Sequence, residues 1–202
     1  MSGCFKTSHV RRRTIAPARV GSVRLTTAAE RALLDAAGWR RRVGRGRGLL
    51  VRAADQRVLV IQGRRVLRSY PCSTARAGLG NRRGSGRTPR GWHEIGEKIG
   101  AGAPIGAIFQ ARQWTGQVWT PSHKSDEDLI LSRILRLAGL EDGINCGGDV
   151  DTWERLIYIH GTNDEASLGT PASHGCVRLS NRDAIELSDL VRPGCPVLVA
   201  AE

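Results

Sequence analysis

The sequence predicts a mainly β fold, a mixed β-sandwich with a few inserted helices, preceded by a basic N-terminal arm and one short helix. Short apolar, β-favouring runs at 49–51, 57–61 and 66–70 open the main body, and Pro196-Val-Leu-Val199 closes it. The helical patterns inside the main body are isolated capped segments, so strands at both ends frame the core. A chain of 202 residues with 40% hydrophobic content has the size for one such core.

The elements follow in order. Residues 1–25 are polar or basic, interrupted by Pro17 and Gly21 and without periodicity, which predicts an arm. Thr27-Ala-Ala-Glu30 is a capping box; Ala32, Leu33, Leu34 and Ala36 give the helix an apolar side, and Gly38 stops it. The run from Arg40 to Gly48 alternates arginine with glycine and reads as a linker, placing the start of the main domain near Leu49 and its extent at 49–202. Gln62-Gly63 turns the second strand into the third, and Gly78 to Gly86 is a loop.

Residues 110–152 read as a lid or insertion. Trp114, Trp119 and Pro121 stand in a polar stretch suited to lining or covering a groove. Ser125 to Asp128 offers a cap, and Leu129 to Ala138 carries apolar positions at helical spacing, stopped by Gly139, so a helix is expected there. Glu141 to Asp151 is acidic but lacks the Asp-x-Asp-x-Asp-Gly spacing and the closing Glu of a calcium loop, and is read as an ordinary loop. Ser180-Asn-Arg-Asp183 caps a last helix through Ile185, Leu187, Leu190 and Val191, which Pro193-Gly194 ends.

Charge is unevenly placed. Residues 1–90 hold 22 Lys/Arg against three acids, and residues 91–202 hold nine against sixteen, for a net charge of +12. Nearly all of the basic charge is arginine, since Lys6, Lys98 and Lys124 are the only lysines. Without interleaved aromatics the Gly/Arg run lacks the stacking platform of a nucleic-acid binder, so no specific nucleic-acid partner is expected, whereas attraction to acidic wall polymers or anionic lipid stays open. No apolar run approaches the roughly 20 residues needed to span a bilayer. The opening residues are basic but no apolar segment follows them, so the sequence as given predicts no secretion signal. Five cysteines are an odd number, which leaves at least one thiol unpaired within the chain.

One stretch concentrates reactive side chains: His160-Gly161-Thr162 through Ser173-His174-Gly175-Cys176-Val177-Arg178. Leu156 to Ile159 is an apolar, β-favouring run, so His160 should emerge at a strand end, and the turn-forming residues after it should fold the chain back. A thiol beside an imidazole is the minimal equipment for covalent catalysis. Gly175 permits a sharp turn before Cys176 that would aim the amides of both residues at one oxygen. The competing reading is zinc held by His160, His174 and Cys176, but no Cys-x-x-Cys or closely paired histidines accompany them, and neither metal nor cofactor is expected.

Ser173-His-Gly-Cys-Val-Arg-Leu179, preceded by Ile159-His-Gly-Thr162, resembles the signature of the L,D-transpeptidase family with the YkuD-type catalytic domain. Thr88-Pro-Arg-Gly91 resembles a second segment of that family, which usually has a large aromatic where this chain has His93. The resemblance covers roughly residues 49–200 and implies the family's β-sandwich and a cysteine enzyme acting on peptidoglycan stem peptides. It implies Cys176 as nucleophile, His160 as base oriented by the carbonyl of Gly161, and Ser173, His174 and Gly175 as residues shaping the site. Arg178 either holds a substrate carboxylate or buttresses the cysteine loop; Tyr158 and Trp119 are the other substrate-binding candidates. Resolution of the thioester by an amine gives a cross-link, and by water an L,D-carboxypeptidase that trims D-Ala from muropeptides. Carbapenems are the inhibitors implied. The usual family location is the cell envelope or periplasm; the missing signal makes the cytoplasm the alternative. A non-catalytic cell-wall or polyanion binder using the basic half is the rival of a different class, and the oligomeric state is left open.

Overall fold

The computed structural model describes residues 23–122, 125 and 127–201. Most of the expected basic arm, residues 1–22, lies outside the described residues. The chain runs β1 (Arg24–Leu25), α1 (Ala28–Ala36), α2 (Trp39–Arg42), β2 (Arg47–Arg52), β3 (Arg57–Gln62), β4 (Arg65–Pro71), β5 (Gly91–Ile99), β6 (Ala107–Gln110), β7 (Gln113–Val118), β8 (Ile130–Gly139), β9 (Tyr158–Gly161), β10 (Val177–Leu179), α3 (Asn181–Leu190) and β11 (Pro196–Ala200). This is the mainly β, mixed architecture with few helices that the sequence predicts.

The strands form one mixed sheet in the order β1-β4-β3-β2-β11-β5-β8-β6-β7, with β9 joined to β8 and β10 to β9. The last strand, β11, inserts between β2 and β5, parallel to the first and antiparallel to the second. Alternation assigns the two faces. Leu49, Val51, Val58, Val60, Val197 and Val199 point into a core shared with Leu187 of α3. Leu50, Leu59, Ile61 and Leu198 point the other way, under Leu34 of α1 and Trp39. The middle strands are thus covered on both sides, and their apolar runs are continuous for that reason.

The N-terminal helix forms as its capping box requires: Glu30 N–H donates to Thr27 Oγ1 (3.1 Å), and Thr27 N–H donates to the Glu30 carboxylate (2.7 Å). The run from Arg40 to Gly48 is not a bare linker. It holds α2 and the start of β2, because Trp39 is buried against Trp92 with ring centroids 5.6 Å apart.

The helix expected over 129–138 is a strand. β8 pairs with β5, β6 and β9, and its residues 131–137 are buried. A strand covered on both faces carries no period of two, and a register shift at Ser132, which has φ +63, further breaks the alternation, leaving apolar spacing that imitates a helix. Part of the 110–152 segment read as a lid is therefore core, whereas β7 is exposed along its whole length. The 141–151 loop is a loop, pinned by buried Asn145, whose amide donates to the carbonyls of Arg90 and Trp92.

Glu30 also ties the helix to the sheet edge. Its carboxylate accepts from Arg24 and lies 3.5 Å from Arg52, and the Arg24 hydrogen bond holds it down at about 2 despite burial. A folded pKa below the unfolded value near 4.3 means the stabilisation is complete above that value and is lost as pH falls toward 2. Acid titration should therefore loosen the N-terminal helices, read as a change in tryptophan fluorescence from the Trp39–Trp92 pair, and Glu30→Gln should show the looser state at neutral pH.

Candidate active site

Two short strands build the site. β9 and β10 pair in parallel with Val177 opposite Ile159 and Arg178 opposite His160. Ile159, Val177 and Leu179 face the core. The alternate residues, Tyr158 and His160 on β9 with Cys176 and Arg178 at β10, therefore share the opposite face. The loop from 162 to 175 folds back as expected and is fastened to the segment after β4: Gly169 N–H donates to Cys72 O (2.9 Å), Ser173 N–H to Thr74 O (3.0 Å) and Arg76 N–H to Ser173 O (2.9 Å).

His160 is buried, 2% exposed, with Nδ1 2.8 Å from Gly161 O. A carbonyl only accepts, so Nδ1 carries the proton and Nε2 keeps its lone pair. Burial lowers the His160 pKa, outweighing the Gly161 hydrogen bond and the Asp128 charge, so the ring is neutral near pH 7. Burial also pushes the Cys176 thiol up to about 11, against the opposing hydrogen bond from Tyr158 N–H to Sγ (3.4 Å). Burial thus favours a neutral thiol and a neutral imidazole over a thiolate–imidazolium pair. Both line a cleft of about 190 Å³ together with His174, Gly175, Asp128 and Arg155.

The other expected residues fall as follows. Ser173 Oγ donates to Cys176 O (2.6 Å) and accepts from Gly175 N–H (3.2 Å), closing the turn in front of the cysteine. In this structure the Gly175 amide, expected to face a substrate oxygen, is engaged by the serine hydroxyl. The φ of +146 at Gly175 is one that side chains rarely adopt, and a Cβ there would meet Ile157 Cδ1 at 3.3 Å. His174 is 78% exposed, and its Nδ1 lies 3.1 Å from Asp128 Oδ2. Arg178 is buried in an ion pair with Asp128 and lies 3.6 Å from Asp164, an arrangement that buttresses the loop. Tyr158 contributes its amide; its ring is buried and its hydroxyl accepts from Arg112 (3.4 Å). Trp119 is not in the cleft but lines a separate groove of about 920 Å³ with Ile105 and Arg182. Among the described residues, no group of three His, Cys, Asp or Glu side chains is placed to hold a metal ion.

Sequence reading missed Asp128, Arg155 and Leu156. Asp128 was assigned to a helix cap, yet it bridges His174 and Arg178; burial works to raise its carboxyl, but those two partners hold it below the usual range. Leu156, at φ +57, turns its carbonyl to within 3.7 Å of Cys176 Sγ. No local pattern marks either residue. His93, the departure from the family pattern, is fully buried between Gly91 O and Thr152 Oγ1, and burial drops its pKa to about 4.

A thiol and an imidazole on one face of a parallel strand pair, in a mainly β mixed sheet, are the groups a cysteine enzyme needs. The L,D-transpeptidase catalytic domain family model matches residues 46–199, and the chain belongs to that family. A putative L,D-transpeptidase YkuD of Bacillus subtilis (strain 168) is 49% identical over 41 residues, 20% of this chain and 25% of that protein. Its Bacillus licheniformis counterpart is 46% identical over the same length and shares. The matched stretch spans a quarter of these curated relatives. Among solved structures, L,D-transpeptidase 3 of Mycobacterium tuberculosis with a faropenem-derived adduct is 18% identical with a TM-score of 0.46, over 78% of this chain and 61% of that one.

The protonation states are testable. Alkylation of Cys176 by iodoacetamide, followed peptide by peptide so that half-buried Cys146 is counted apart, should be slow at neutral pH and climb as pH approaches 11. An inflection below about pH 7 would instead identify a thiolate–imidazolium pair.

Proposed function

We propose that this protein is a cysteine-nucleophile L,D-transpeptidase acting on peptidoglycan tetrapeptide stems in the cell envelope. The observation that carries the reading is the buried His160, held by Gly161 O with Nε2 unprotonated, lining one cleft with Cys176. Family membership over 46–199 supports that choice of substrate class.

In the acylation step His160 Nε2 takes the thiol proton as Sγ attacks the carbonyl carbon at the L-centre of the diamino acid. The C–N bond to D-Ala breaks, the proton passes from His160 to the departing amine, and a thioester joins the stem to Cys176. In the second step an amine of another stem attacks the thioester. Its proton moves through His160 to the leaving thiolate, and the new amide is the cross-link. Because the resting pair is uncharged, the proton transfer accompanies attack, the situation in which general-base catalysis contributes about 10²–10⁴-fold. Protonating Nε2 removes the base, and the lowered His160 pKa places the acid limb of the rate below the ordinary histidine range near 6.5.

The test is incubation with a disaccharide-tetrapeptide, with and without an acceptor amine, read by mass spectrometry. A cross-linked dimer is expected; tripeptide alone would identify a carboxypeptidase, and unchanged substrate would sink both. Cys176→Ala should abolish D-Ala release and any carbapenem adduct, and His160→Ala should slow acylation by about 10²–10⁴-fold.

A further inference from the structure

Among the described residues, the cleft holds one cation that no acid balances. Arg155 directly precedes the Leu156–Ile159 run, and its guanidinium is turned to three backbone carbonyls: Nη1 donates to Gly80 O (3.2 Å) and Asn81 O (2.7 Å), and Nη2 to Arg87 O (2.6 Å). Arginine has five N–H donors, so Nε–H and one Nη2–H are uncommitted among the described residues. An incoming acceptor can therefore still be bound by the guanidinium through charge-assisted hydrogen bonds.

No described carboxylate lies within ion-pair distance of Arg155, in contrast to Arg178, which is neutralised by Asp128 and Asp164. The carbonyls of the 80–87 loop hold the head group in place without cancelling its charge. That head group is close to the reacting centre. Arg155 and Cys176 line the same cleft, and a Cβ placed on Gly175 would lie 3.6 Å from Arg87 O, the carbonyl that Arg155 Nη2 binds. The carbonyl that holds the cation therefore lies beside Gly175, the residue before the nucleophile.

We infer that Arg155 binds the terminal carboxylate of the donor peptide, making a free C-terminal acid next to the scissile bond part of what this site reads. This rests on the acyl-transfer reading above. The covalent distance is suitable: the carboxylate carbon of the departing residue is three bonds from the attacked carbonyl, less than about 4.5 Å away. A donor anchored there leaves its terminal residue at the cation while Cys176 faces the bond that breaks. When that residue departs, the carboxylate goes with it and Arg155 is again uncompensated. A stem extended by one more residue would bring an uncharged peptide group to Arg155 instead.

The experiment compares two donors on the full chain: a disaccharide-tetrapeptide ending in D-Ala and the same compound ending in D-alaninamide. Release of D-Ala or of D-alaninamide gives the acylation rate for each. The wild type should prefer the free acid in kcat/KM by about tenfold to a hundredfold, the range of a charge-assisted pair. Arg155→Gln should bring the ratio close to one, with its melting temperature and Cys176 alkylation rate reporting that the fold persists. Equal use of the two donors by the wild type overturns the inference while leaving the transpeptidase reading intact, and that comparison needs no variant. A folded Arg155→Gln that keeps the preference overturns it as well. Failure of the wild type to acylate either donor overturns the proposed function and the inference with it.

Discussion

Everything at the site depends on the parallel pairing of β9 with β10. Setting Arg178 opposite His160 brings Cys176 and His160 to the same side of the sheet and sends Ile159, Val177 and Leu179 into the core. A slip of one residue would exchange the two sets, burying the reactive groups among aliphatic side chains and exposing the core. The register is held from several directions. β8 pairs along β9, and Ser73 exchanges backbone hydrogen bonds with Arg178 at 2.9 Å in both directions. Gly161 has no room for a side chain: a Cβ would lie 2.6 Å from Asn181 Oδ1 and 2.8 Å from Leu131 O. The carbonyl that orients His160 thus belongs to a residue whose small size lets β8, β9 and the start of α3 meet.

The electrostatics follow from that burial. Burial of the Cys176 thiol and the His160 imidazole in the sheet face favours their uncharged forms, because each charged form would give up hydration. Around them Arg178 is paired with Asp128 and Asp164, and Asp128 also meets His174 Nδ1. Among the described residues, Arg155 is held by carbonyl dipoles alone. A site built this way rests neutral at the reacting atoms and directional at the walls, which suits a substrate that brings its own charge.

The strong basic bias of the N-terminal half has a partly structural use. Arg24 and Arg52 converge on the buried carboxylate of Glu30, and Arg42 packs over the Trp92 ring at 5.5 Å. Arginines that look like a solvated run in the sequence are in these places part of how α1 and α2 close one face of the sheet.

The sequence by itself determined what is encoded locally. The capping box at Thr27, the N-cap at Ser180, the strand runs at 57–61 and 196–199, and a loop folding back between His160 and Cys176 all arise from neighbouring residues, and all are legible. The Ser-His-Gly-Cys signature with its upstream His-Gly identified the family. Tertiary structure alone decided β8, where burial on both faces and a bulge at Ser132 erased the alternation that marks a strand. It also decided Trp119, which lines a groove of its own, and the turn of the Gly175 amide into the loop. The same holds for Asp128 and Arg155. Their partners lie between 46 and 75 residues away along the chain, so no window of sequence contains both ends of the interaction, and only the closed sheet brings them to the cleft.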